Sequence, residues 1–330
     1  MQRRVFMSTP GATLAALQLF AVALTAHAQT PQPTPGRVYR LAHLTNSPLG
    51  ETVTRDITLP ELAKLGFVEG RNLIFDGRVG ETDAMPKFMR ELVAAKPDVI
   101  VAIGPAPMKA ASAATRTMPI VSFGADPIEL GLAQSYARPG GNVTGVVILA
   151  TELEAKRLSI LREVVPDRRR VAALFSAAGN PVSEPALRKA AASLGVELLP
   201  FTVTTPAEYT AAFAAMRAAG AQALVIAATP EFFRDGKQLA ALALEAKLPT
   251  VCEWAEMAHA GCLIGYGPSR AELRRRMAHQ IAAIFRGEAP GNIPIELPSR
   301  FEFAINQKIA TALGLKIPEG VLLQASTVIE

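Results

Sequence analysis

The side chains able to make or break bonds are sparse in this sequence and poorly spaced to cooperate. No serine sits in a Gly-x-Ser-x-Gly turn that would present a strained nucleophile, and no Gly-x-x-x-x-Gly-Lys-[Ser/Thr] loop cradles a phosphate. The turn after the first apolar run reads Thr45-Asn46-Ser47-Pro48-Leu49-Gly50, without the closely spaced glycines that a dinucleotide pyrophosphate needs. Carboxylates pair at Glu152/Glu154 and Glu253/Glu256. The first pair falls at a helix start, where the helix dipole favours acids without any catalytic part. Cys252 and Cys262 read as two buried small apolar side chains flanking strands, a disulfide being the open alternative. His43, His259 and His279 form no ligand pattern with either cysteine, so neither a metal nor a cofactor is expected. The chain does not read as an enzyme.

The short polar turns that follow the apolar runs are more informative. In order they are Thr45-Asn46-Ser47-Pro48, Gly104-Pro105-Ala106-Pro107-Met108, Gly124-Ala125-Asp126-Pro127, Ser176-Ala177-Ala178-Gly179-Asn180, Thr229-Pro230-Glu231-Phe232-Phe233 and Glu253-Trp254. In an open parallel sheet, ligands bind outside the C-terminal strand ends, which is where these turns fall. The ligand-binding residues expected are Asn46, Ser47, Pro48, Gly104, Pro105, Ala106, Asp126, Ser176, Asn180, Thr229, Glu231, Phe232 and Trp254. Backbone N–H groups at helix starts suit a carboxylate, Glu231 suits an amine, and Phe232 and Trp254 supply an aromatic wall. Phe123, Phe233 and Tyr266 are the other aromatic side chains near these turns. Any one of these residues is also an ordinary turn or cap residue, so the convergence of six turns carries the reading.

The elements that must hold the turns alternate regularly. Runs rich in Val, Ile and Leu at 37–44, 72–79, 98–103, 119–123 and 143–148 read as strands, with helical spacing at 52–65, 83–95 and 107–115. The pattern then repeats, with strands at 170–175, 196–203, 223–228 and 249–252 and helices at 152–165, 184–194, 206–219 and 232–246. Unbroken apolar strands belong in parallel sheets covered on both faces. The fold class expected is α/β with two Rossmann-like, doubly wound lobes, a closed eight-unit barrel being the rival.

At 330 residues, 50% hydrophobic and 19% charged, the chain is long enough for two cores and is neither disordered nor low in complexity. The first 28 residues read as a cleaved export signal: Arg3 and Arg4, an apolar stretch over 12–25, and Ala26-His27-Ala28 before the cut. Arg3-Arg4-Val5-Phe6-Met7 also resembles a twin-arginine signal, so the export route stays open. Removing residues 1–28 takes away two arginines and no acids, leaving 302 residues with a net charge of +3. That is too weak for a nucleic-acid partner. Residues 29–36 hold three prolines and read as an extended leader.

Gly66-Phe67-Val68-Glu69-Gly70-Arg71-Asn72-Leu73, Asp98-Val99-Ile100-Val101-Ala102, Pro119-Ile120-Val121, Asp126-Pro127 and Ala137-Arg138-Pro139-Gly140-Gly141-Asn142-Val143-Thr144-Gly145 occur in that order. Leu153 to Leu161, Gly265-Tyr266-Gly267-Pro268-Ser269 and Phe301-Glu302-Phe303-Ala304-Ile305-Asn306 follow. The set resembles the ABC-transporter substrate-binding proteins of the tryptophan/tyrosine-receptor-like family, over residues 37–330. The resemblance implies a type I periplasmic-binding-protein fold, with crossovers at 144–150, 263–268 and 292–297. It puts lobe 1 at 37–147 and 267–291, and lobe 2 at 148–266 and 292–330. It implies a monomeric periplasmic receptor for a small-molecule solute, an amino acid or carboxylate-like compound, working with an inner-membrane permease and ATPase. An exported sensory subunit or an exported α/β enzyme are the alternatives. Residues 270–285 would form a helix burying Leu273, Met277, Ile281 and Ile284 and exposing the arginines at 274–276 to solvent. Members that bind aromatic amino acids tend to carry a hydroxyl in the first-lobe loop, where this chain has Gly104-Pro105-Ala106-Pro107, and an aspartate where it has Glu231.

Overall fold

The computed structural model describes residues 33–179 and 182–330; the expected export signal and Asn180 lie outside the described residues. The first sheet holds β1 (Tyr39–Thr45), β2 (Leu73–Val79), β3 (Val99–Ile103), β4 (Ile120–Gly124) and β5 (Val143–Val147), all parallel, in the order β2-β1-β3-β4-β5. α1 (Pro48–Val53) and α2 (Leu59–Lys64) join through a π turn over Thr54–Thr58, and α3 (Met85–Ala94) and α4 (Pro105–Ala114) complete the crossovers. β3 and β5 are wholly buried because helices cover both faces, which is why their sequence lacks alternation.

The chain then enters α5 (Ala150–Val164) and builds a second sheet. Its elements are β6 (Arg170–Ser176), α6 (Ser183–Ser193), β7 (Glu197–Val203), α7 (Tyr209–Ala218), β8 (Ala223–Ile226), α8 (Pro230–Arg234), α9 (Gly236–Glu245), β9 (Thr250–Cys252), α10 (Ala255–His259) and β10 (Ile264–Pro268). α11 (Arg270–Phe285) returns to the first lobe, where Leu273, Met277, Ile281 and Ile284 join its core. β11 (Phe301–Asn306), α12 (Gln307–Ala312), α13 (Glu319–Leu322) and β12 (Thr327–Ile329) finish the second lobe. The sheet order is β12-β11-β10-β9-β8-β6-β7, parallel except for the antiparallel β10–β11 pair. The fold is therefore two α/β lobes with flanking helices.

Three expectations need correction. The helix expected over 232–246 is two, α8 and α9, parted at Asp235. Asp235 accepts hydrogen bonds from the Tyr209 hydroxyl and Arg234 Nε, both at 2.8 Å. Cys252 and Cys262 are not free apolar side chains but a disulfide, which closes a loop around α10. The arginines of 274–276 do not form a solvated face, because Arg274 is 3% exposed. Among the described residues, no helix is long and apolar enough to cross a membrane.

Where the chain crosses between lobes, the segments hold one another. Gly145 O accepts from Glu296 N and from Gln280 Nε2, each at 2.9 Å, and Val147 N donates to Glu296 O at 3.0 Å. Thr144 Oγ1 donates to Ile293 O at 2.8 Å. Gly145 also lets β5 pair closely with β4: its φ is +152°, and a Cβ there would stand 2.2 Å from Ser122 O.

Candidate functional site

Strand order in a parallel sheet dictates where a crevice opens. In the first lobe the order reverses between β1 and β3, and in the second between β6 and β8. Connections leave in opposite directions at such a point, leaving room outside the carboxyl ends. Both reversals open on one cavity of about 170 Å³ between the lobes.

Nine of the residues expected to bind ligand line it: Asn46, Ser47, Gly104, Pro105, Ala106, Asp126, Thr229, Glu231 and Trp254. Pro48, Ser176 and Phe232 do not. Pro48 is spent on the first turn of α1. Ser176 Oγ accepts from Ala178 N at 3.2 Å, fixing its own turn, and Ala178 and Gly179 reach the cavity instead. Phe232 is 1% exposed and packs on Tyr209 in the second-lobe core, while its neighbour Phe233 faces the cleft. Some residues that do line the cavity are already occupied. Thr229 Oγ1 caps α8 by accepting from Phe232 N at 3.2 Å. Asp126 accepts from Ile128 N at 2.8 Å and from the Tyr136 hydroxyl at 2.6 Å. That second bond, with burial, pushes the Tyr136 phenol up to about 12.

The two walls touch. Asn46 Nδ2 donates to Glu231 Oε1 at 2.7 Å, across the cleft. Asn46 Oδ1 and Ser47 Oγ are buried without a hydrogen-bond partner among the described residues. Leaving such groups unpaired is costly, and both stand in the cavity wall with bonding capacity to spare.

Several lining residues went unanticipated, notably Lys109, Glu152, Arg270 and Arg274. Arg270 lies over Phe233 at 4.3 Å and donates to Glu256 through Nε at 3.0 Å. Arg274 lies over Phe123 at 3.9 Å, and its Nη1 donates to Thr54 Oγ1 at 3.2 Å. A signal for the pair did exist: Arg270 and Arg274 are four apart on one helix, flanking the apolar Leu273.

Behind the second-lobe wall lies a buried ionic group. Arg157 on α5 is fully buried, donating from Nε to Tyr266 O at 2.8 Å and from Nη2 to Glu253 O at 3.3 Å. Glu154, read above as a helix-start acid, is also fully buried and accepts from Ala228 N at 3.2 Å. Burial pushes the Glu253 carboxyl up to about 7; Arg157 opposes the rise and Glu154 adds to it. β10 closes over this group because Gly267 has no side chain: a Cβ there would stand 2.1 Å from Glu253 O. Among the described residues no cluster of His, Cys, Asp or Glu could hold a metal ion.

The comparisons with known proteins agree with this geometry. A family model described as "ABC transporter substrate binding protein" matches residues 55–329. A curated tyrosine-binding protein of Clostridioides difficile (strain R20291) is 24% identical over 259 residues, 76% of this chain and 73% of the relative. A conserved domain protein from Vibrio cholerae aligns with a TM-score of 0.83 and 26% identity, over 88% of this chain and all of that one. A Streptococcus pneumonia ABC domain in complex with L-Trp aligns at 0.80 and 22% identity, with the same coverage. With two α/β lobes, a cleft at both switch points and a family match over most of its length, the chain belongs to the ABC transporter substrate binding proteins.

Proposed function

We propose that this protein is a periplasmic receptor that captures a small organic solute, an amino acid or a related carboxylate, between its lobes. It then presents the closed form to an inner-membrane permease and ATPase. The observation that carries this reading is the cleft itself: both lobes contribute strand-end turns, and the Asn46–Glu231 bond draws the walls together. A solute touching both walls favours the arrangement in which they meet, so binding shifts an open–closed equilibrium. The tyrosine-binding relative and the L-Trp complex support an amino acid as the first class to try. The cleft lining among the described residues offers hydrogen-bonding groups, charge and aromatic faces, which suit holding a solute.

The test is a thermal-shift screen of the purified protein against amino acids, carboxylates, nucleosides and aromatic acids. A binder at 100 times its Kd adds roughly 2.7 kcal/mol to stability. Chemical turnover of a ligand that the protein binds overturns the receptor reading.

A further inference from the structure

Arg274 is a buried cation without a counter-ion. It is 3% exposed, lines the cleft, and among the described residues makes no ion pair. Its neighbours on α11 do: Arg270 pairs with Glu256, and Arg276 with Glu272 and Glu296. Of its nitrogens, Nη1 is spent on Thr54 Oγ1, and Nε is buried with no acceptor. Phe123 covers one face of the guanidinium, which holds it in place without neutralising it. Burial, with Arg270 nearby, pushes its pKa down to about 9, so the charge persists at neutral pH with little to compensate it.

A second observation comes from a different element. Thr54 O–H and Gly50 belong to the helical segment that starts at Ser47: Thr54 Oγ1 donates to Gly50 O at 3.0 Å, and Gly50 N to Ser47 O at 2.9 Å. Thr54, which anchors Arg274, thus sits about two turns along the segment from Ser47, whose buried hydroxyl has no partner. A positive group lacking an anion, on α11, and a hydroxyl lacking a bond, at the start of α1, both line one cavity. The π turn over Thr54–Thr58, a local irregularity of the kind common at functional sites, sets Thr54 where it meets the guanidinium.

We infer that Arg274, with Ser47 lining the same first-lobe wall, is an anion subsite that takes the carboxylate of the bound solute and selects acids over their neutral analogues. This rests on the receptor reading above and adds the chemical group that the first lobe recognises. A carboxylate there would accept charge-assisted hydrogen bonds from the guanidinium and restore the missing counter-charge.

The test measures, by titration calorimetry on the purified protein, a panel of amino acids, aromatic acids and aliphatic carboxylates, each beside its primary amide, with nucleosides as uncharged controls. At least one acid is expected to bind roughly 30-fold or more tightly than its amide. Arg274→Gln is expected to lower that acid's affinity by a similar factor while changing the amide little, and Arg274→Lys to fall between. An amide binding within about threefold of its acid, or Arg274→Gln retaining the acid's affinity, overturns the anion subsite and leaves the receptor reading standing. If no member of the panel binds, both readings fall. The comparison of acid with amide needs no variant, so it decides the matter even if Arg274→Gln does not fold.

Discussion

Asn46 and Glu231 are 185 residues apart in the chain, yet their side chains meet at 2.7 Å between the two walls of the cleft. The bond is charge-assisted and partly buried, so its net contribution is about 1.5–3 kcal/mol. Glu231→Ala removes the acceptor without touching either core. The unliganded variant is expected to expand, seen as a larger radius of gyration by small-angle scattering, and to bind a confirmed solute about tenfold or more weakly. Unchanged size and affinity would show that this bond does not hold the lobes together.

Gly145 tests the pairing of β5 with β4. Replacing it with Ala places a methyl on the Ser122 carbonyl and forces a backbone conformation that L side chains rarely adopt. A loss of at least about 2 kcal/mol is expected in urea unfolding. A Gly145→Ala protein with the wild-type midpoint would mean that β4 and β5 separate at no cost.

Glu253 gives a pH dependence of defined sign. Its carboxyl is raised to about 7 in the folded state, by burial first, with Arg157 and Arg270 opposing and Glu154 adding. The folded protein therefore holds a proton that the unfolded chain releases, and stability is lost as pH rises from about 4.5 through 7. His43, pushed down to about 3 by burial, Arg274 and Arg55, acts in the opposite sense below its unfolded value. Comparing wild type with Glu253→Gln cancels the histidine. Between about pH 4.5 and 8 the wild type is expected to lose up to about 3 kcal/mol relative to the variant. Parallel stability curves for the two proteins would refute a raised Glu253.

The disulfide closes a short loop, with a sequence separation of 10. Cys252→Ala combined with Cys262→Ala is expected to cost about 2–3 kcal/mol, chiefly through the freer unfolded chain. The loop holds Glu253 and Trp254, both in the cleft wall, so solute affinity should fall as well. An oxidised wild type no more stable than the double variant in urea would contradict this.

Strands were legible because burial on both faces writes an unbroken apolar run, as in Val99-Ile100-Val101-Ala102-Ile103. The turns after them were legible for the same reason, since a parallel sheet puts every such turn on one edge. What the sequence hid depends on contacts between distant residues. Asp235 splits a helix because Tyr209, 26 residues earlier, supplies a hydroxyl to its carboxylate. Arg274 is inside because Phe123 and Thr54, the latter 220 residues away, receive it. Helical periodicity reports the average polarity of a face and cannot say that one arginine on it will be covered. Phe232 and Phe233 show the same limit, because adjacent aromatics on a five-residue helix divide between core and cleft.

The chain passes between the lobes three times, but two of those passages are fastened together. Val146 and Glu296 form a parallel bridge, with Gly145 and Val147 bonded to the same residue. Mechanically, this merges two straps into one, leaving two points of attachment: the fastened pair and the passage from β10 to α11. Two points define a line. For the closure proposed above, that line would be the axis, and the rims of the cleft would open and close along a single arc.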